Sequence, residues 1–249
     1  MKNIIPSSCL GLAVLALVSC TTTTGSLGNV EPKAAQILGA MSSKLAAAKT
    51  VRVTATREAS PGFFVGNKVA EHARINGVVQ RPDKLASTAK TDLGTREIRY
   101  DGKQLLLVDR AAKTHVIVPA KPTIDETISS IEEVYGFMPP LAELAVNNPQ
   151  ALLMDGVISG KWVGNEPVGK TPCDHLAFKQ ENLDWEIWVG EKDQLPHQIR
   201  VTYPNGEGGA AMVMTAVIQK AELDGPVSAS EFAVKVPAGS RALEMIPLN

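Results

Sequence analysis

Cysteine is scarce in this sequence, and where the cysteines fall excludes a disulfide framework. Of the three, Cys9 lies inside an apolar leader and Cys20 at its end, which leaves Cys173 as the only thiol further on. Net charge is nearly absent as well. With residues 1–19 removed, the remaining 230 residues carry 24 basic and 26 acidic side chains, a balance of −2. So even a balance exerts no electrostatic pull toward nucleic acid or anionic lipid, and no nucleic-acid partner is expected. No internal repeat recurs, and no linker is long enough to divide the chain. The four histidines include no pair at a metal-binding spacing among His72, His115 and His197.

What is present begins with a leader. Met1-Lys2-Asn3 forms a short positive start, and Leu10 to Val18 is an uncharged apolar run, too short to span a bilayer but of the right length for a signal peptide. It closes on Leu17-Val18-Ser19-Cys20, which resembles the bacterial lipobox. That resemblance implies a lipid thioether on Cys20, cleavage before it and acylation of the freed amine. Two or three acyl chains would hold the protein firmly to a membrane, since each buried methylene contributes about 0.8 kcal/mol. Residues 20–30 read as a polar, flexible tether. Thr21 follows the cysteine instead of the Asp that resembles an inner-membrane retention signal, so the expected location is the periplasmic face of the outer membrane.

Residues 31–249 read as one α+β, mainly β domain. Pro32 suits the first position of a helix, in which Ile37, Leu38, Met41 and Leu45 recur at three- and four-residue steps. From Val51 the period switches to two, giving strands at Val51 to Glu58, Lys68 to Gln80, Lys84 to Thr91, Arg96 to Tyr100, Gln104 to Val108 and His115 to Val118. Asp101-Gly102 marks a hairpin among them. A helical insertion near 123–154 follows: Thr123 to Glu126 reads as a capping box, Ile124, Ile128, Ile131 and Tyr135 form an apolar stripe, and Gly136 ends it. Shorter helices are expected after Pro139-Pro140 and Asn148-Pro149. Strands resume at Val157 to Asn165, Cys173 to Gln180, Asp184 to Gly190, Gln198 to Tyr203 and Ala210 to Glu222. The last is apolar on both faces and is expected to be central. Strand-rich halves flanking a helical insertion predict a helical cover on one antiparallel sheet.

Arg81-Pro82-Asp83-Lys84-Leu85, Tyr100 to Lys103, Cys173 to Phe178, Asp184-Trp185-Glu186-Ile187-Trp188, and Phe232 to Gly239 with Pro237 resemble a family of predicted periplasmic proteins known as a domain of unknown function. The resemblance spans nearly the whole chain after the tether, and Asp184 to Trp188 is its most specific part. That family is similar in architecture to the LolA/LolB lipoprotein-carrier superfamily. The implied fold is a curved antiparallel sheet, a half-open β-barrel, with helices on its concave face. Such folds hold acyl chains in an apolar cavity or present a groove to another protein.

Several side chains invite a chemical reading. Cys173 and His175 share a strand face, but lie about 7 Å apart, too far for direct thiol activation. Asp174, Asp184 and Glu186 could meet across a hairpin as paired carboxylates, although a solvated sheet face explains them equally. No catalytic set, metal or cofactor is expected. The candidate ligand cavity is instead lined by Ile124, Ile128, Ile131, Phe137, Met138 and Leu141 of the insertion, with Trp185, Met212 and Met214 of the sheet. The functional expectation is a non-enzymatic, lipid-anchored envelope protein that binds a lipid or other hydrophobic molecule. The alternative is a ligand-free interaction or structural module whose partner is an envelope protein, and the two differ in whether the interior is open or filled.

Overall fold

The computed structural model describes residues 29–64, 68–136, 138–139, 141–204 and 209–247. The leader, Cys20, the tether as far as residue 28, and Phe137 lie outside the described residues.

The first helix, α1 (Pro32–Ala47), starts with Pro32 in its first turn, where a missing N–H has no helical partner to lose. Ala34, Leu38, Met41 and Leu45 fall on one stripe and are all buried. A meander follows: β2 (Thr50–Ala59), β3 (Glu71–Gln80), β4 (Lys84–Thr91), β5 (Gly94–Tyr100), β6 (Gln104–Asp109) and β7 (Thr114–Pro119). The helical insertion contains α2 (Ile124–Tyr135), α3 (Ala142–Ala145) and α4 (Pro149–Met154). A second meander comprises β8 (Ser159–Asn165), β9 (Cys173–Lys179), β10 (Asp184–Gly190), β11 (Pro196–Tyr203) and β12 (Met212–Leu223). Two short strands, β1 (Asn29–Val30) and β13 (Arg241–Ala242), complete the set.

All thirteen strands form one curved, unclosed sheet in the order β1-β8-β9-β10-β11-β12-β2-β3-β4-β5-β6-β7-β13. β12 joins the two meanders by pairing antiparallel with β2, so the strand with apolar residues on both faces is interior to the sheet, as its sequence predicts. The capping box forms as expected: Thr123 and Glu126 satisfy each other's backbone N–H, and Gly136 ends α2 in the left-handed conformation at φ 61°. Asn29 and Val30, read as the end of the tether, instead pair parallel with β8, because β8 offers unpaired edge groups that the local sequence does not reveal. The strand expected from Lys68 begins at Glu71, where β2 ends at Ala59 and supplies no further partner.

Alternation sorts side chains to the two faces. The concave face carries Val51, Val53 and Ala55 of β2, opposite Val79, Gly77 and Ile75 of β3. In the second meander it carries Leu176, Phe178, Trp185 and Ile187, which pack with α1 in the main core. α2 and α3 cover the first meander instead. On the convex side Phe232 is buried against Val78 and Ala86 in a separate small cluster.

Candidate functional site

Hydrogen bonds at one rim of the sheet position the cover over the first meander. Arg81, just past β3, donates to the carbonyl oxygens of Ala48 at 3.1 Å, Val146 at 2.9 Å and Leu144 at 3.3 Å. The Asp125 carboxylate accepts from the backbone N–H of Asn147 at 2.8 Å and of Asn148 at 3.1 Å. The N–H of Ile124 donates to Pro82 at 2.9 Å. Charge-assisted bonds to backbone are among the stronger kinds, so α2, α3 and the start of α4 are fastened to the sheet's end.

Beneath this cover the interior is open. A cavity of about 80 Å³ lies between α2–α3 and the sheet, walled by Ile124, Ile128 and Ile131 above and by Val51, Val79 and Tyr100 below. Gly77 forms part of its floor in the middle of β3, and a Cβ placed there would meet nothing within 4 Å. A glycine in a strand interior packs poorly and marks a close approach of backbone to something else. Along the same face a second cavity of about 270 Å³ opens, sharing Ile75, Ser87 and Ile98 with the first. Its far end carries Arg57, Arg96 and Asp109. The two form one trough, apolar under the helices and charged at the other end, at the low end of the size range of small-molecule sites.

Of the residues expected to line a cavity, Ile124, Ile128, Ile131 and Leu141 do so. Phe137 lies outside the described residues. Met138 is 37% exposed and lines neither cavity. Trp185 stacks on Phe178 with ring centroids 4.1 Å apart, in the part of the core packed with α1. Met212 and Met214 face the concave side from β12 but lie beyond both cavities' walls. The sequence reading missed Gly77, Arg57, Glu71 and Arg96. Arg57 continues the inward alternation of Val51, Val53 and Ala55, and Glu71 that of Ala73 and Ile75, so a charge in register with the apolar face was the available signal.

Of the residues weighed for catalysis, Cys173, His175 and Glu186 share one face of the sheet and Asp174 lies on the other. Cys173 is buried with its thiol donating to the Thr171 carbonyl at 3.4 Å, and burial pushes the thiol up, away from the thiolate that nucleophilic chemistry needs. His175 stacks on Trp188 at 4.0 Å, with its Nδ1 3.0 Å from Glu166 and its Nε2 3.1 Å from Glu186. Asp174 faces the opposite side and accepts from the Trp162 indole N–H at 2.8 Å, so it does not join Glu186. Among the described residues no group of three or more His, Cys, Asp or Glu is placed to hold a metal ion.

A curved, unclosed sheet, antiparallel except at its two edges, with helices on its concave face places the chain in the mainly β class of fold. Within that class, the chain belongs to the family described as predicted periplasmic protein (DUF2092), whose model matches residues 34–246. No curated protein matches the sequence. Solved structures similar to it include LprF from Mycobacterium bovis, with 11% identity and a TM-score of 0.46 over 86% of this chain and 100% of that one. The Mycobacterium tuberculosis lipoprotein LppX gives 10% identity and a TM-score of 0.43 over 78% of this chain and 98% of that one. A LolA superfamily protein from Nitrosomonas europaea gives 9% identity and 0.38 over 81% and 97%.

Proposed function

We propose that this protein is a non-enzymatic, lipid-anchored component of the cell envelope that holds a lipid or other hydrophobic molecule in the trough under α2 and α3. The observation that carries this reading is the unfilled space above Gly77, in a wall that is mainly apolar, with Val51, Ile75, Val79 and Ile128 among its residues. A structural module has no use for an apolar void, since each unfilled volume forfeits packing energy. Gly77 sacrifices both strand propensity and packing to keep the floor low. The periplasmic description of the family supports an envelope location, and Leu17-Val18-Ser19-Cys20 supports an anchor on the periplasmic face of the outer membrane. The partners in this reading are the membrane, through Cys20, and the hydrophobic ligand.

Filling the void tests it. Gly77→Leu adds a side chain where the backbone has an ordinary strand conformation and space is free, so the variant melts at the same temperature as the parent or higher. Native mass spectrometry of the parent shows bound lipid after purification or after addition of a lipid extract, and of Gly77→Leu shows the bare mass. A parent that stays bare under both conditions, or a Gly77→Leu protein that loads equally well, overturns the reading.

A further inference from the structure

On the convex side of the first meander a third recess, of about 240 Å³, lies beside the short helical turn Ala229–Phe232. Phe232 is seated there on Val78 and Ala86. Next to it Thr54, Asn76 and Thr88 stand in one row across β2, β3 and β4, over a floor that includes the Gly77 backbone. Arg52 and Arg99 form two walls and are already held, Arg52 by Glu231 at 2.9 Å and Arg99 by the Ser87 carbonyl at 2.7 Å and the Thr88 hydroxyl at 3.2 Å. Among the described residues the Thr54 hydroxyl and the Asn76 amide have no hydrogen-bond partner. The next row along the strands, about 7 Å away, holds Arg74 directly opposite Lys90. Both are exposed, and among the described residues neither has a hydrogen bond or an ion pair. The carboxylates around them are committed elsewhere: Glu97 to Arg99 and Arg110, Glu58 and Asp92 to His72, and Glu222 to Lys220 beside Thr54. Like charges directly opposite on neighbouring strands destabilise a sheet, so folding gives no reason for this pair.

We propose that this recess is a second binding site, which takes the phosphate of a phosphomonoester, with Arg74 and Lys90 flanking the phosphate and Thr54, Asn76 and Thr88 receiving the esterified group. Opposed cations whose Cβ atoms lie about 5 Å apart fit one dianion between them. A phosphomonoester carries about two negative charges at neutral pH, against about one for a carboxylate or a phosphodiester. Arg74 adds a planar fork of donors that matches phosphate oxygens. The hydroxyls and the amide of the row both donate and accept, which suits a hydroxylated substituent. A soluble phosphorylated compound and a lipid head group ending in phosphate present the same chemistry. The site lies on the opposite face of the sheet from the trough and does not depend on what the trough holds.

The protein carrying Cys20→Ala, so that no acyl chain of its own can enter a vesicle, is titrated at low salt with glycerol 3-phosphate, dimethyl phosphate and acetate. Glycerol 3-phosphate binds about tenfold more tightly than either singly charged anion, the effect of one further charge-assisted contact. Arg74→Gln with Lys90→Gln removes that preference. Both positions are exposed, and relief of the like-charge pair leaves the melting temperature equal or higher, so the loss is not one of folding. Asn76→Leu lowers the affinity for glycerol 3-phosphate about threefold, the effect of one neutral hydrogen bond. The control Lys161→Gln with Lys179→Gln, which takes two exposed charges from β8 and β9, leaves the affinity unchanged. Sedimentation with phosphatidylcholine vesicles that contain phosphatidate, lost in the Arg74 and Lys90 variant, assigns the phosphate to a lipid head group, and binding of glycerol 3-phosphate alone assigns it to a soluble compound. Equal affinity for the three anions, no binding of any of them, or a loss in the control pair as large as in the Arg74 and Lys90 pair overturns the site.

Discussion

Glu143 is half-buried in α3, among Ala142, Leu144 and Ala145, all buried. Burial pushes its carboxyl up to about 7, whereas in the unfolded chain it titrates near ~4.3. The folded state therefore holds this proton more tightly than the unfolded one. Its contribution to stability is complete below the unfolded value and is lost as pH rises through about 7. Melting temperature is expected to fall from about pH 5 to about pH 8, a loss on the order of 2 kcal/mol, and Glu143→Gln is expected to flatten the curve. Equal slopes for the two proteins in calorimetry would remove Glu143 as the cause. At this scale the sequence was partly legible. Ile124, Ile128 and Ile131 announce themselves by helical spacing, whereas the roles of Gly77 and Arg57 depend on β3 lying between β2 and β4, which local periodicity does not encode.

Among the elements, α2 is the one whose ends are specified most fully. The Thr123 hydroxyl accepts from the Glu126 N–H at 3.2 Å, and Glu126 returns a bond of 3.2 Å to the Thr123 N–H. Removing a cap of this kind costs about 1 kcal/mol. Thr123→Ala should speed amide exchange in α2 about fivefold, with little change in β9 or β10, which share no hydrogen bonds with it. Unchanged protection in α2 would show that tertiary fastening by Arg81 and Asp125, and not the cap, sets its stability. The capping box, the αL glycine and the Asn148 cap of α4 were legible because each is a contiguous local motif. β1 and β13 were not. Each is two residues long and takes its partner from far along the chain, β1 from β8 and β13 from β7. The two meanders read correctly as strands for the opposite reason, since antiparallel neighbours joined by short turns carry their own alternation.

For the whole molecule, the anchored reading proposed above turns on Cys20. Cys20→Ala expressed in a bacterial host is expected to take up no labelled palmitate and to leave the membrane fraction, while the wild-type chain is labelled and sediments with membranes. A variant that still sediments, together with an unlabelled wild type, would end the anchored reading. The global layout was legible from the ordering of signals along the chain: two strand-rich stretches around a helical insertion become two meanders, the first covered by α2 and α3 and the second packed against α1, joined where β12 meets β2. The trough's polarity was not, because the residues at its charged end come from four strands, β2, β3, β5 and β6.

An open sheet has two rims, and here a two-residue strand finishes each. Asn29 to Glu31 lies along β8, with the Glu31 N–H bonded to Gly160 at 2.9 Å and its carboxylate accepting from the Trp162 N–H at 3.0 Å. Arg241 and Leu243 do the same for β7, donating to Lys113 at 2.9 Å and His115 at 2.8 Å. Like a selvedge on cloth, these strips are too short to recruit a further strand and yet occupy the stretch where one would start. The chain in this way keeps its curved sheet open without offering a bare edge on which a neighbouring copy could add a strand.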